Sequence, residues 1–281
     1  MILIVESGSS KADWLVVDSS GVVLSFETKG WNILFLSIPE IQFRLSCLTN
    51  LETYLCKIDK VYFYAPGSFI SDSVENLKTQ LKAKFTNADV YIESDLLAAC
   101  RSVFKGKPLF VSILGTGSNT AFFDGDLMAQ NTPSLGFILG DEGSGASLGK
   151  ELLREYLYQR LPKDLYIRFS MSYSISKEMI LKSVYTQDSP SKFLASYVPF
   201  LAENRTHKFI HELVVNQLEL YLKTHLLNIP NIHDYKLSFV GGVAYAFPDL
   251  LISLCAKHNI TIGEILKRPK DGLVSYHLLN S

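Results

Sequence analysis

The sequence predicts an α/β protein made of two similar halves, because one pattern of strands and loops occurs twice in its 281 residues. An apolar run over residues 109–114 leads into a loop of glycine and hydroxyl residues, and a second strand and a tight turn over 124–126 follow. Residues 2–26 have the same order, with strands over 2–5, 14–17 and 22–26 around a Gly/Ser loop and a turn. Such repetition indicates related halves, although two unrelated hairpins with glycine turns would give the same pattern.

The rest of the first half alternates between helix and strand. Helices are predicted over about 40–57, 71–85 and 96–104, and strands over 61–65 and 90–92. With the N-terminal strands this gives the order β-β-β-α-β-α-β-α, which is the order of a ribonuclease-H-like domain. Because Gly106-Lys107-Pro108 is a natural boundary, we expect one such domain over 1–107 and a second over 108–281.

The second half carries the same kinds of element and an additional helical segment. Helices are predicted over about 146–160 and 208–226, followed by a strand over 237–240, a turn, a helix over 244–255, an edge strand over 260–262 and a terminal helix. The region 162–204 also reads as helical but has no counterpart in the first half. We therefore expect a helical insertion in the second domain.

Composition excludes several classes of partner. The 27 Lys and Arg residues nearly balance the 28 Asp and Glu residues, so no basic surface indicates a nucleic-acid partner. No apolar run is long enough to span a bilayer, and the N-terminus lacks the features of a signal peptide. We expect no membrane partner and a cytoplasmic location.

Cysteine and histidine give no sign of a metal centre. The four cysteines have no CxxC spacing, which favours reduced thiols over a disulfide or metal framework. The six histidines form no metal-binding motif. We expect the histidines to lie at the surface.

The loop over 115–118, Gly-Thr-Gly-Ser, is a candidate phosphate-binding element. Glycines let backbone amides approach an anion without interference from a Cβ atom, and a row of such amides suits a phosphate. The loop does not match the GxxxxGK[ST] motif, and no helix follows it directly. The Gly/Ser loop of the N-terminal hairpin is a second element of the same kind.

Four motifs give the sequence a resemblance to a known group: ESGSSKAD, ILGTGSNTAFFDGD, LGDEGSG and FVGGVAYAF. They resemble the sugar kinase/Hsp70/actin superfamily, and within it the sequence is most similar to the N-acetylglucosamine kinase family and the related BadF/BadG/BcrA/BcrD ATPases. LGTGSN followed about two dozen residues later by GDEGSG is the most specific part. The resemblance implies two ribonuclease-H-like (actin-like ATPase) domains with a cleft between them. It also implies an ATP-dependent carbohydrate kinase that uses ATP and Mg²⁺ and phosphorylates an amino sugar, N-acetylglucosamine or glucosamine.

Asp95 is the candidate catalytic base. It follows a predicted strand at its carboxyl end, where the ligands of open α/β sheets gather. By the resemblance, it holds the place of the aspartate that binds the sugar hydroxyl and accepts its proton. An Asp at this position also serves as a helix N-cap, which is the structural alternative.

The resemblance implies roles for further residues. The expected nucleotide-binding residues are Ser9, Ser10, Lys11, Gly115, Thr116, Gly117, Gly241 and Gly242. The expected substrate-binding residues are Asn32, Asp95, Ser118, Asn119, Ser134, Leu135, Gly136 and Asp141. The expected metal-binding residues are Glu6 and Asp13, two strand-end carboxylates that would reach Mg²⁺ through water.

Some of these assignments have alternatives or depart from the family pattern. Gly241-Gly242 would also suit an ordinary tight turn between strand and helix. Asp13 would also suit a solvated position on a hairpin. Leu135 stands where a Trp occurs in the animal enzymes. In the first phosphate loop, Ser10 stands where the family often has Thr, and Ala12 stands where a second hydroxyl residue is common.

Two other functions fit the same motifs. BadF-like relatives are ATPases that activate a partner enzyme and carry an iron–sulfur cluster, but none of the four cysteines here neighbours the glycine-rich loops. A non-catalytic sugar-binding regulator is the third hypothesis, since degenerate kinase folds can keep ligand binding. The sequence leaves open whether the chain forms a homodimer.

Overall fold

The structure is a computed structural model that describes residues 1–8, 11–68, 70–130, 132–186 and 189–280. The chain forms two compact units. Unit 1 comprises Met1–Phe104 with Pro269–Ser281, and unit 2 comprises Lys105–Arg268. The first division lies close to the expected boundary at 107/108, but residues 269–281 pack with unit 1 and not with the second half.

Unit 1 is a five-stranded mixed sheet with helices. Its strands are β1 Ile2–Ser7, β2 Lys11–Asp18, β3 Gly21–Lys29, β4 Lys60–Ala65 and β5 Asp89–Ser94. Its helices are α1 Ile38–Ser46, α2 Ser71–Lys84, α3 Asp95–Val103 and the C-terminal helix Lys270–Leu279. The strand order is β3-β2-β1-β4-β5, in which β1, β2 and β3 pair antiparallel and β1, β4 and β5 pair parallel.

Both faces of this sheet are covered. On one face Trp14, Trp31 and Phe63 pack edge to face, with ring centroids 5.6–5.8 Å apart. On the other face the C-terminal helix packs against α3, and Leu273 is fully buried there with Tyr64. Burial on both faces explains why β1 reads as a continuous apolar run.

Unit 2 has a second five-stranded sheet. Its strands are β6 Leu109–Leu114, β7 Ser118–Phe123, β8 Met128–Ala129, β9 Lys236–Val240 and β10 Ile262–Leu266. Its helices are α4 Gly136–Leu139, α5 Gly145–Leu157, α6 Lys163–Ser172, α7 Lys177–Tyr185, α8 Pro190–Ala195, α9 Val198–Glu203, α10 Lys208–His225, α11 Gly242–Ala246 and α12 Pro248–Lys257.

The two sheets have the same topology. In unit 2 the order is β10-β9-β6-β7-β8, so an antiparallel meander is extended by two parallel strands, as in unit 1. The predicted α/β architecture with two ribonuclease-H-like sheets is therefore confirmed. The segment predicted as a helical insertion forms α6 to α9, and its helices join the core of unit 2 through residues such as Phe169 and Phe200.

Two predicted helices are shorter than expected. The helix predicted over 40–57 ends at Ser46, and a 3-10 segment, Thr49–Tyr54, follows after Leu48 leaves the helical region with ψ 56°. The helix predicted over 244–255 is divided into α11 and α12 at Pro248, which has no amide hydrogen to continue the first helix. Among the described residues, no helix is long and apolar enough to cross a membrane.

Candidate functional site

The carboxyl ends of the parallel strands of unit 1 bring several candidate residues to one edge of the sheet. The register places Glu6 of β1 beside Tyr64 of β4, and Tyr64 beside Glu93 of β5. Asp95, which directly follows β5, therefore lies about two strand spacings from the end of β1, or about 10 Å at the usual spacing. Ligands of open α/β sheets bind at such edges.

A backbone hydrogen bond joins the two strands of the N-terminal hairpin. The amide of Gly8 donates to the carbonyl of Lys11 over 2.9 Å, and the register places Glu6 opposite Asp13. The ammonium of Lys11 lies 2.6 Å from a carboxylate oxygen of Glu27 on β3. Lys11, expected to bind the nucleotide, is thus already ion-paired.

Two other expected nucleotide-binding residues of this hairpin, Ser9 and Ser10, lie outside the described residues.

The two candidate metal ligands lie side by side, and Asp13 has a cationic partner. The side chain of Asp13 is buried, and its Oδ1 lies 3.3 Å from Nζ of Lys270 in the C-terminal helix. This burial contradicts the solvated position considered for Asp13 from the sequence. In the part of the chain that the structure describes, no group of three or more His, Cys, Asp or Glu residues is arranged to hold a metal ion. Glu6 and Asp13 therefore fit a metal held largely by water and phosphate, and not a metal enclosed by protein ligands.

Asn32 is held next to the end of β1. Its Oδ1 accepts from the amide of Leu34 over 3.2 Å, and the amide of Trp31 donates to the hydroxyl of Ser7 over 2.6 Å. The carbonyl of Pro66, after β4, accepts from the amide of Ile33. Asn32 thus lies at the same sheet edge as the N-terminal hairpin, and its amide nitrogen has no hydrogen bond among the described residues.

Asp95 is the first residue of α3, and its neighbour provides the helix cap. The hydroxyl of Ser94 accepts from the amide of Leu97 over 3.0 Å, which is the N-cap interaction. The carboxylate of Asp95 accepts from the amide of Leu96 over 2.9 Å. Because Ser94 serves as the N-cap, capping does not account for the carboxylate of Asp95.

The environment of Asp95 favours the protonated carboxyl. Burial raises the pKa of Asp95 to about 6, and the hydrogen bond from Leu96 opposes this only in part. A carboxyl with this pKa is still ionised at neutral pH but is a stronger base than an exposed aspartate. It has the properties required of a general base.

In unit 2 the loop after β6 is anchored to the start of α5. The carbonyls of Gly115 and Thr116 accept from the amides of Gly145 and Ala146 over 2.8 and 3.0 Å. Within the loop, the amide of Gly115 donates to the carbonyl of Gly117. Among the described residues no hydrogen bond is found from the amides of Thr116 and Gly117. The loop therefore fits an anion, since two consecutive amides remain available.

Asp141 lies against this loop. Its Oδ1 accepts from the amide of Ser118 over 3.2 Å, and a Cβ atom on Gly117 would lie 3.0 Å from its Oδ2. A side chain at 117 would therefore crowd the carboxylate, which would have to shift by a few tenths of an ångström. Asp141 adopts a left-handed backbone with φ 58°, and burial, with the nearby charge of Glu142, raises the pKa of Asp141.

Ser118 and Asn119, the first residues of β7, differ in how fully their side chains are hydrogen-bonded. The hydroxyl of Ser118 is buried and has no hydrogen-bond partner among the described residues. An unsatisfied buried hydroxyl is costly, so it is a candidate to bond a ligand. By contrast, Oδ1 of Asn119 already accepts from the amide of Thr120 and from Nε2 of Gln130.

Gly241, which directly follows β9, packs against the same loop. A Cβ atom there would lie 2.2 Å from the carbonyl oxygen of Leu114, and φ is 138°, so only glycine fits. Gly242 has no atom within 4 Å of an added Cβ, which leaves its surroundings open. The glycine pair is therefore more than a tight turn, because Gly241 fixes the distance between β9 and the loop.

The expected substrate residues at 134–136 lie at the surface of unit 2. Ser134, Leu135 and Gly136 are exposed, and Leu135 has 56% of its surface accessible. The described residues show no hydrogen bond between this segment and Asp141. Their role as sugar contacts stays a prediction.

A buried polar network that the sequence analysis missed supports Asp141 and β7. Nε2 of His225 lies 2.9 Å from Oε2 of Glu142, and the ring of His225 stacks on Tyr221. The hydroxyl of Tyr221 is hydrogen-bonded to Thr120 of β7. The prediction that the histidines lie at the surface is wrong for His225, because it lies on the buried face of α10.

A second buried histidine also contradicts that prediction. His277 in the C-terminal helix is hydrogen-bonded to the hydroxyl of Tyr64 over 2.8 Å. Burial and the nearby Arg101 lower the pKa of His277 to about 4, so the ring is neutral at physiological pH. It links the C-terminal helix to the sheet of unit 1.

Comparisons with known proteins find relatives among solved structures. No family model matches the chain, and no curated protein matches it. A protein from Porphyromonas gingivalis, provisionally named an N-acetylglucosamine kinase, is 33% identical with a TM-score of 0.95, over 100% of this chain and 99% of that one. The chain therefore belongs to the N-acetylglucosamine kinase family of the sugar kinase/Hsp70/actin superfamily.

More distant structures share the fold. A protein from Chromobacterium violaceum, also provisionally named an N-acetylglucosamine kinase, is 15% identical, with a TM-score of 0.76 over 98% of both chains. A ROK family glucokinase from Streptomyces griseus, in complex with glucose and AMPPNP, is 14% identical, with a TM-score of 0.59 over 99% of this chain and 98% of that one. At these identities the likeness establishes the actin-like ATPase fold alone.

Proposed function

We propose that the protein transfers the γ-phosphoryl group of ATP to a hydroxyl of an amino sugar, N-acetylglucosamine or glucosamine, with Asp95 as the general base. The observation that carries this proposal is the state of Asp95: it follows β5 at the sheet edge, it is not needed as the helix cap, and its pKa is raised to about 6. The relative that is 33% identical supports the reaction class.

Asp95 would accept the proton of the attacking sugar hydroxyl. An aspartate with its pKa near the working pH is largely ionised, yet it binds a proton more strongly than an exposed one, which favours transfer in the transition state. Phosphoryl transfer depends mainly on positioning and charge stabilisation. The carboxylate would therefore also orient the hydroxyl toward the phosphorus.

The sugar would be held mainly by Asp141. Its buried carboxylate is fixed by the amide of Ser118 and can accept hydrogen bonds from two neighbouring hydroxyls of a sugar ring. The hydroxyl of Ser118, which has no partner among the described residues, would add a donor, and so would the amide of Asn32. Asn119 and the exposed segment 134–136 are proposed as outer contacts.

The nucleotide phosphates would bind at the glycine loops. The available amides of Thr116 and Gly117, with Gly115 shaping the turn, suit phosphate oxygens. Ser9 and Ser10 are proposed to act similarly in the N-terminal hairpin, while Gly241 and Gly242 would leave room for the adenosine.

Glu6 and Asp13 are proposed to hold Mg²⁺ through water, and Mg²⁺ would supply charge neutralisation at the transferred phosphoryl group.

The experiment that tests this function measures ADP release in a coupled assay with a panel of sugars. We expect release to rise at least about 100-fold over the sugar-free rate with N-acetylglucosamine or glucosamine, since ordered kinase sites exclude water in favour of the acceptor. One sugar phosphate should form for each ADP. Glucose and N-acetylmannosamine serve as discriminating acceptors.

Two results would contradict the proposal, each in favour of one alternative. ADP release that does not depend on any sugar would indicate an ATPase that activates a partner. Sugar binding by calorimetry without ADP release would indicate a non-catalytic regulator.

A further inference from the structure

The C-terminal helix places a lysine at the N-terminal hairpin. Lys270 is the first residue of this helix, and its Nζ lies 3.3 Å from Oδ1 of Asp13. The side chain of Asp13 is 3% exposed and that of Lys270 is 29% exposed. The ammonium thus bridges a buried carboxylate and the solvent.

Close packing fixes where this helix begins. Gly272 lies so near to α3 that a Cβ atom on it would be 2.0 Å from the carbonyl oxygen of Ser102. Leu273 is fully buried, and its amide donates to the carbonyl of Pro269 over 2.9 Å. The backbone at Lys270 is therefore held in place, and its ammonium is confined to the neighbourhood of Asp13.

A lysine is an unfavourable choice for this helix position. The N-terminus of a helix carries partial positive charge, so a cation in the first turn is destabilising. The pairing with Asp13 offsets that effect. A residue that opposes a local preference and is compensated by a buried partner is a candidate for a role beyond stability.

The hairpin needs a cation for an anionic ligand. Asp13 stands two residues after Lys11 and opposite Glu6, so two carboxylates would repel a nucleotide phosphate there unless cations neutralise them. Lys11, the cation that the sequence suggested, is paired with Glu27 on β3. Lys270, by contrast, is hydrogen-bonded to the carboxylate of Asp13.

We propose that Lys270 is a phosphate-binding residue for the nucleotide and that Asp13 is its positioning residue. This inference rests on the proposed function. When ATP binds, the ammonium of Lys270 donates to a phosphate oxygen while it stays close to Asp13, and no proton or bond is exchanged. Asp13 then orients this ammonium in addition to its proposed contact with Mg²⁺ through water.

The test measures the affinities of ATP and adenosine by calorimetry in the presence of EDTA, which removes any metal contribution. Lys270→Met should weaken ATP binding about 10- to 100-fold, the usual range for a lost charge-assisted hydrogen bond. Adenosine, which has no phosphate, should bind as it does to the native protein. Lys270→Arg, which keeps the charge, should recover most of the ATP affinity.

A matched control is Lys257→Met. Nζ of Lys257 also lies 3.3 Å from a carboxylate oxygen, on Glu219, but within unit 2 between α12 and α10. This variant loses an ion pair of the same length and should bind ATP as the native protein does. If Lys270→Met fails to fold, the double variant Asp13→Asn/Lys270→Met removes both charges together, and its ATP affinity should be reduced to the same degree.

The outcomes separate this inference from the proposed function. If the native protein binds ATP and Lys270→Met binds it equally well, Lys270 is a structural ion-pair partner only, and the kinase proposal is unaffected. An equal loss of affinity for ATP and adenosine would also overturn the inference, because it would reveal a general structural defect. If the native protein binds ATP only after Mg²⁺ is restored, the ammonium does not hold the phosphate by itself and this inference fails, while the kinase proposal stands. If it binds no ATP under either condition, both proposals fail.

Discussion

Replacing Asp95 with asparagine is expected to lower kcat about 1,000-fold while the affinity for the sugar stays within roughly threefold of the native value. Asparagine keeps the size of the side chain and can still hydrogen-bond a hydroxyl, but it cannot accept the proton; general-base catalysis contributes about 10²–10⁴-fold. Steady-state kinetics with ADP detection gives kcat, and calorimetry gives the sugar affinity. Full activity in the variant would show that another group accepts the proton.

Two controls distinguish lost chemistry from lost structure. Asp89→Asn changes an exposed carboxylate at the opposite end of the same strand and should leave kcat unchanged. Asp95→Asn itself should unfold at a higher temperature than the native protein at pH 7.5. The raised pKa means that ionised Asp95 destabilises the fold, by up to about 3 kcal/mol. Stability linked to this group is present at low pH and lost as pH rises through 6, so the difference should vanish near pH 4.

Replacing Asp141 with alanine is expected to weaken sugar binding about 100-fold or more. The carboxylate is proposed to accept two sugar hydroxyls, and hydrogen bonds to a charged group contribute about 1.5–3 kcal/mol each. The amide of Ser118 would also lose its acceptor. Calorimetric titration with N-acetylglucosamine or glucosamine measures the effect directly.

Backbone conformation requires a second variant at this position. Asp141 has φ 58°, which asparagine tolerates better than alanine. Asp141→Asn should therefore melt close to the native temperature but still bind sugar at least tenfold more weakly. Asp124→Ala is the matched control, because Asp124 also accepts backbone amides but lies exposed in the β7–β8 turn. Native affinity in both Asp141 variants would remove this residue from the sugar site.

The sequence was most informative where the signal is local. The apolar run of β6, the glycine loop after it and the turn at 124–126 are contiguous, and each gives its own signal of strand, close approach or reversal. The duplication followed from comparing two such stretches. The common order of the two sheets bears it out.

Local patterns failed where a single backbone conformation interrupts a periodic segment. The apolar spacing over 40–57 suits one helix, but the departure at Leu48 converts its second half into a 3-10 segment. Pro248 was visible in the sequence, and its missing amide hydrogen could have predicted the division between α11 and α12.

Pairings between distant residues could not be inferred from one sequence. Lys270 and Asp13 are 257 positions apart, and His225 and Glu142 are 83 apart. Nothing in the flanking residues of His225 marks it as buried except its place on the inward face of α10. The cap at Ser94 was within reach, because Ser is as good an N-cap as Asp.

The pH dependence of kcat/KM tests the central claim most directly, because it reports the ionisation of the free enzyme's base. The active form is the ionised carboxylate of Asp95, which is lost as pH falls through its raised pKa of about 6. We predict a kcat/KM that is level above that pH and falls about tenfold for each pH unit below it. The same fall below pH 6 should persist in Asp141→Asn, which removes a second carboxyl with a raised pKa. A profile that stays level down to pH 5 would contradict the assignment of Asp95 as the base.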